Sequence, residues 1–407
     1  MNFTTPIEHV VVLMMENHSF DNMLGWLPGV GELTGDESNS GADGHVYRVG
    51  DYHGGDKNPS FQTYPGPAHD FRDVNHQVFG TDDPSHPNPP PVTMSGFVTD
   101  YDRQKGSKPG GVMGCYSSEQ VPVISLLAQT FTTCRRWFCS VPGPTGPNRL
   151  YANCAATAGY AGPDWKTGSL PTELASLTSI FGVLTAAGLS WGVFCEDPTF
   201  APELVLNDVP KPLEGDPGFQ QFLSQIQAGT LPNYSFLTPS LMPNSQHPNS
   251  DVRFGECVMA DVYNMIATSS YWDKTLFILT YDEHGGFFDS VKTPTGVPNP
   301  DGLNWDSNCP PSYDYSCPPF HFDRLGVRVP AILISPYVAA VVDDTQYEHS
   351  SIPATVLKLF GLTWPVCNKR IETVNTFETA IGKIMRTDVP PSISCPLIIP
   401  PPDGSAG

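Results

Sequence analysis

The chain has 407 residues, 39% of them apolar and only 15% charged, which is enough to fill a sizeable core and excludes a disordered chain. Against 21 Lys and Arg stand 42 Asp and Glu, leaving a net charge of -21. That balance excludes nucleic acid as a partner and disfavours docking on anionic lipid by charge alone.

In chain order, the first element is His9–Met15 (HVVVLMM), apolar nearly throughout, as strands buried on both faces of a parallel sheet are. The same pattern returns at Thr275–Tyr281 (TLFILTY) and at 329–335 (VPAILIS), with shorter candidates at 190–194 and 233–237. Helical spacing is read over 121–131, 150–158, 180–187, 257–267 and Ser351–Phe360, the last closed by Gly361. The alternation predicts an α/β fold, a mostly parallel central sheet flanked by helices. Residues 29–115, rich in Gly, Pro, Asp and His, and 292–320, rich in Pro and Asn, read as long loops, and residues 390–407 as a Pro-rich tail.

No transmembrane segment is expected, because no apolar run approaches the ~20 residues a spanning helix needs. The start of the chain also lacks the basic flank of a signal peptide. Among ten cysteines, the pairs 309/317 and 367/395 read as bridges, which would favour secretion; free buried thiols are the alternative. No CxxC spacing occurs, which argues against a cysteine zinc site.

The chemistry-bearing residues follow the strands. The first strand runs into Glu16, Asn17, His18, Ser19, Phe20 and Asp21; the strand at Thr275–Tyr281 runs into Asp282, Glu283, His284, Gly285 and Gly286. Ligands of open parallel sheets bind beyond the carboxyl ends of the strands. Either cluster alone reads equally well as a polar turn. Together they point to one site, where converging carboxylates repel each other unless a divalent cation lies between them. The segment 141–149 (VPGPTGPNR) leads into a helix, with Pro147 suited to its first position and Thr145 or Gly146 near its cap. A hydroxyl there lies among free N–H donors that favour phosphate, and reads as a nucleophile or as a plain N-cap. His69, His247, His284, His321 and His349 fall near turns or strand ends, where imidazoles can line a pocket and move protons.

Five ordered segments carry a resemblance: MENHSFDNMLGWL (15–27), WFCSVPGPTGPNRLYANCAATAG (137–159), TLFILTYDEHGGFFDSV (275–291), FDRLGVRVPAILISPYV (322–338) and YEHSSIPATVLKLFGL (347–362). The chain resembles the phosphoesterase family that unites bacterial phospholipases C, acid phosphatases of the same fold and plant non-specific phospholipases C. The resemblance implies an alkaline-phosphatase-like α/β fold, with a catalytic domain at 1–362 and a C-terminal extension at 363–407. It implies Glu16, Asn17, Asp282 and Glu283 as metal ligands, and Thr145 as the nucleophile that also contacts the metal. It implies Asn148 and His349 as phosphate contacts, and His69 and His247 as catalytic pocket histidines. An all-oxygen ligand set suits Ca²⁺, Mg²⁺ or Mn²⁺, with Zn²⁺ left open.

The expected activity is that of a metal-dependent phospholipase C, cleaving glycerophospholipids to diacylglycerol and a phosphorylated headgroup through a phosphothreonine intermediate. An acid phosphatase of soluble phosphomonoesters is the alternative, and an inactive metal- or phosphate-binding protein a lesser one. The implied partners are a phospholipid or small phosphoester and a transient membrane-surface contact. Two positions depart from the family pattern: His18 stands where Arg is usual, and Asp289-Ser290-Val291 where Asp-His-Val is usual.

Overall fold

The computed structural model describes residues 5–52, 60–82, 89–162, 171–211, 218–305 and 319–397. In chain order its elements are β1 (His9–Met15), α1 (Phe20–Leu24), β2 (Ser38–Ser40), β3 (Val46–Arg48), α2 (Phe71–Phe79), α3 (Phe97–Tyr101), α4 (Pro122–Thr130), β4 (Thr132–Cys134), β5 (Trp137–Phe138) and α5 (Thr145–Cys154). They continue with α6 (Ile180–Ala186), β6 (Trp191–Cys195), α7 (Phe219–Gln227), β7 (Tyr234–Thr238), α8 (Val252–Ala267), β8 (Thr275–Tyr281), β9 (Ala331–Ile334), β10 (Val342–Asp343), β11 (Tyr347–Glu348), α9 (Ser351–Phe360) and α10 (Lys369–Thr373).

The central sheet has seven strands in the order β10-β4-β9-β8-β1-β7-β6. Neighbours pair in parallel except at β9, which runs against both β8 and β4. The fold is α/β, with a mostly parallel sheet between helices. β1 lies between β7 and β8, and every residue of β1 and β8 is buried. That burial explains the unbroken apolar runs: neither face meets water, so period-2 alternation has nothing to select it. Each buried Val, Leu or Ile contributes about 1.5–3 kcal/mol.

Several elements differ from the sequence reading. The region 29–115 is not one long loop. It holds the β2–β3 hairpin, α2 and α3 around a second small core that includes Val74, Val78, Phe97, Tyr101 and Phe288. Phe71, Val74 and Val78 lie at helical spacing, and Asp70 opens α2 with a capping box to Asp73. Helix α8 begins at Val252 rather than 257, because the Asp251 side chain accepts from the Arg253 N–H. Helix α5 begins at Thr145 and ends at Cys154, so Pro147 falls third in it, still within the first turn, where a missing N–H costs nothing.

Beyond 362 the chain wraps back on the core: Phe377 is fully buried against Trp137 and Tyr347, and Arg370 is buried with its guanidinium on Glu348, 3.2 Å away. Among the described residues a disulfide joins Cys257 of α8 to Cys395. This corrects the expected 367/395 bridge, since Cys367 is exposed and free while Cys395 is brought onto α8. Cys309 and Cys317 lie outside the described residues, as do most of the Pro-rich tail and the middle of the 292–320 loop. Among the described residues no helix is long and apolar enough to cross a membrane.

Candidate active site

In the sheet Met15 is opposite Tyr281, so Glu16 and Asp282 leave adjacent parallel strands at the same level. The two acidic turns then lock together. The Asp282 Oδ1 accepts from the Asn17 N–H at 3.2 Å and from the Glu283 N–H at 2.7 Å. Asn17 takes a left-handed backbone (φ 63), a conformation that Asn tolerates better than most residues. Close approach demands the two glycines that follow: a Cβ at Gly285 would lie 2.1 Å from the Asn17 carbonyl oxygen, and one at Gly286 would lie 2.6 Å from that of Ala68.

Arg149, one helical turn after Thr145 and therefore on the same face of α5, reaches between these turns. Its Nε donates to Asp282 Oδ2 and its Nη2 to Glu16 Oε1, both at 3.2 Å. Its Nη1 donates to Thr238 Oγ1 at 3.3 Å, and that hydroxyl donates to the buried Glu203. Burial pulls Arg149 down, but Asp282 and Glu16 more than offset it and keep the guanidinium charged.

One guanidinium does not neutralise this site. Burial, then repulsion from Asp282, raises Glu16 to about 8 against the pull of Arg149. Burial likewise raises Glu283 to about 8, with Asp282 adding to it and His69 opposing. Glu16 Oε2, Asn17 Oδ1 and Glu283 Oε1 are buried without a hydrogen-bond partner. Among the described residues no three His, Cys, Asp or Glu side chains converge at metal-binding geometry. The donor set that fits a hard cation is therefore two carboxylates and an amide oxygen, from Glu16, Glu283 and Asn17. Asp282, expected as a ligand, has both oxygens engaged in holding Asn17, Glu283 and Arg149.

Thr145 is the first residue of α5 and keeps 8% of its surface exposed. Beside it, Asn148 is spent on the turn: its Oδ1 accepts from the Val141 N–H at 2.9 Å, and its Nδ2 donates to the carbonyls of Val141, Gly143 and Pro144 at 3.0–3.1 Å. Asn148 thus shapes the Thr145 turn instead of facing phosphate, because a fully buried amide must satisfy both its ends. His349 also differs from expectation. Its Nε2–H donates to the Asp282 carbonyl at 2.6 Å and its Nδ1 accepts from the Trp137 indole at 3.2 Å, which defines a neutral ring behind the site.

His69 and His247 are brought together, with ring centroids 6.1 Å apart. His69 Nδ1 donates to the Pro67 carbonyl at 2.8 Å, and its Nε2 faces the Asn17 amide at 3.1 Å and Glu283 at 3.7 Å. Burial pulls His69 down, but Glu283 and Asp70 outweigh it and raise it to about 9. Burial, then repulsion from His69, lowers His247 to about 3, and its Nδ1 is unpartnered. His18 is buried and stacked on Phe287, bonded to Asn22 and to the Gln246 carbonyl. Ser290 donates to Asp21, whose carboxylate also binds the buried Arg328 at 2.6 Å. His321 is partly exposed.

Arg149 and Glu203 are the residues that sequence reasoning missed. A signal for Arg149 existed: it is the only charged residue between 137 and 163, inside an otherwise neutral segment. Glu203 had none, since it leaves an irregular segment and meets Thr238 only through the fold. His284 contacts Gln77 Oε1 at 2.7 Å through Nε2 and lies 3.5 Å from Glu283.

A cluster of buried acidic side chains at the carboxyl ends of parallel strands, with a hydroxyl at a helix start, is an arrangement suited to α/β enzymes that handle phosphoryl groups. The chain belongs to the Phosphoesterase family, whose model matches residues 7–363. It is 37% identical to non-specific phospholipase C5 of Arabidopsis thaliana, over 96% of this chain and 77% of that one. It is 30% identical to phospholipase C A of Mycobacterium tuberculosis, over 89% of this chain and 74% of that one. A solved structure similar to it is a protein of the alkaline phosphatase superfamily from Vibrio parahaemolyticus, with TM-score 0.41 and 14% identity, covering 67% of each chain. The protein is a hydrolase acting on phosphoester bonds.

Proposed function

We propose that the chain is a phospholipase C that cleaves glycerophospholipids to diacylglycerol and a phosphorylated headgroup. The observation that carries this reading is the set of three buried, unpartnered oxygens from Glu16, Asn17 and Glu283. They lie at the ends of β1 and β8, where Arg149 ties Glu16 and Asp282 to the helix that begins with Thr145. The names of the relatives support the substrate class. A divalent cation on these oxygens would supply charge neutralisation and lower the pKa of a hydroxyl beside it.

The chain's own residues do the rest. Thr145 Oγ1 attacks phosphorus in line, the bond from phosphorus to the diacylglycerol oxygen breaks, and a phosphothreonine forms. His69 and His247 face each other; His69, held protonated beside Glu283, is the group placed to pass a proton to the leaving oxygen, with neutral His247 next to it. Water then attacks the phosphothreonine, restoring Thr145 and releasing the phosphorylated headgroup. Asp282 and Arg149 hold the two acidic turns and the Thr145 helix in one register throughout, with Asn148 and His349 fixing the turn and Asp282 from behind. Ca²⁺, Mg²⁺ and Mn²⁺ suit the oxygen set best, and Zn²⁺ also accepts carboxylates.

The test compares phosphatidylcholine with p-nitrophenyl phosphate, before and after chelation and metal add-back. Diester cleavage lost on chelation and restored by one ion is the expected result. Monoester cleavage alone would replace this reading with the acid phosphatase one. Thr145→Ala should lower turnover by about 10⁴-fold or more without unfolding the protein; substantial activity in the pure variant overturns the nucleophile.

A further inference from the structure

Two loops bring the pocket histidines to the surface, 60–69 (SFQTYPGPAH) and 241–250 (LMPNSQHPNS). They are zipped together across 183 positions of sequence: the Gly66 N–H donates to Asn249 Oδ1 at 2.8 Å, the Thr63 N–H to the Pro248 carbonyl at 2.8 Å, and the Gln62 amide to the Asn249 carbonyl. Tyr101 holds them from within, donating to the Pro65 carbonyl at 2.8 Å. In a chain with 42 acids and 21 bases, neither loop contains a single Asp, Glu, Lys or Arg. Their tips instead expose Tyr64, 79% accessible, and Met242, 52% accessible. Charges flank this lip: Arg253 pairs with Asp251 at 2.6 Å with its guanidinium over Phe61 at 4.2 Å, Glu196 accepts from the Asn244 amide at 2.8 Å, and Asp70 follows His69.

We propose that these two loops form an interfacial lip that seats on a zwitterionic phospholipid surface, with Tyr64 and Met242 entering the interface and His69 and His247 held at its inner edge. The proposal rests on the phospholipase reading for its purpose. The chain's charge of -21 leaves no long-range attraction to anionic lipid, so apolar insertion is the mode of docking that remains. No carboxylate belongs to either loop, although Glu196 holds the Asn244 amide from beside the second one, and tyrosine suits the headgroup level because its ring is apolar and its hydroxyl wet. Rigid zipping means little order is lost on docking.

A second exposed apolar pair provides the internal control. Ile384 and Met385, 85% and 47% accessible, sit between Lys383 and Arg386. The Arg386 N–H donates to the Pro336 carbonyl just past β9, whose Ile334 pairs with Phe277, near the amino end of β8. This pair is therefore on the face away from the pocket. The experiment measures sedimentation with phosphatidylcholine vesicles, in the Thr145→Ala background so that no turnover is needed. Tyr64→Ser with Met242→Ser should lower vesicle partition by about tenfold, whereas Tyr64→Trp and the control Ile384→Ser with Met385→Ser should leave it unchanged. In active protein, the lip variant should lose vesicle hydrolysis and keep its rate on dissolved short-chain phosphatidylcholine. Unchanged partition in the lip variant, or loss in the control instead, overturns the proposal. Vesicle binding through the lip by a chain that hydrolyses no lipid would support the lip and refute the phospholipase reading.

Discussion

The two ends of the central sheet are built from the same strands and treat polar groups in opposite ways. At the amino end, the polar groups at the strand starts are paired. His9 contacts the Pro232 carbonyl at 2.8 Å, and Asn233 accepts from Ser190 and donates to the Glu8 carbonyl at 3.0 Å. At the carboxyl end, Glu16, Asn17, Glu203, His247, Glu283 and His284 each leave a buried polar atom unpartnered. Asn17 and Gln246 there adopt left-handed backbones. Buried polar groups are ordinarily satisfied, and strain persists only where the surroundings enforce it. The amino end is therefore built for stability, while the carboxyl end holds unspent hydrogen-bonding capacity for a ligand.

Breaking each end should separate these roles. Arg149→Met leaves Glu16 and Asp282 buried without their partner and should cost about 3–5 kcal/mol of stability as well as activity. Asn233→Ala at the opposite end should cost only about 1–3 kcal/mol and leave kcat unchanged. Urea unfolding and steady-state kinetics on both variants check the pair, and equal loss of kcat would erase the distinction. A smaller effect tests the unspent oxygens. A divalent ion at a hundredfold excess over its Kd should stabilise the protein by about 2.7 kcal/mol. Glu283→Gln should abolish that gain, because it removes one of the two carboxylates of the proposed donor set. Thermal unfolding with and without chelator reads both.

A third glutamate sharpens the comparison. Burial raises Glu256 to about 8, against the opposing hydrogen bonds from the Val123 and Ile124 N–H groups at the start of α4. Unlike Glu16 and Glu283, it has no unpartnered oxygen. Its folded value lies above the unfolded 4.5, so its contribution is fully present below that value and is lost as pH rises toward about 8. The slope reaches at most about 1.4 kcal/mol per pH unit. Glu256→Gln should flatten that part of the stability–pH curve, and an unaltered curve would assign the slope to other groups.

Much of this was legible along the chain. Strands β1 and β8 stand where their unbroken apolar runs end in acidic turns, and α9 is bounded by Ser351 and Gly361, because burial and capping act locally. Glu16, Asn17, Glu283, Thr145 and the histidine pair could be nominated for the same reason: strand ends and helix starts announce themselves in a few residues. Tertiary structure alone decided the rest. It placed Arg149 on Glu16 and Asp282, 133 positions away, turned Asn148 and His349 inward, and joined Cys257 to Cys395. It also organised 71–101 into a second core and zipped the two uncharged loops into one lip. These are contacts between distant segments, which no local period encodes. They exist only once the strand order sets β1 between β7 and β8 and brings every carboxyl-end turn to one place.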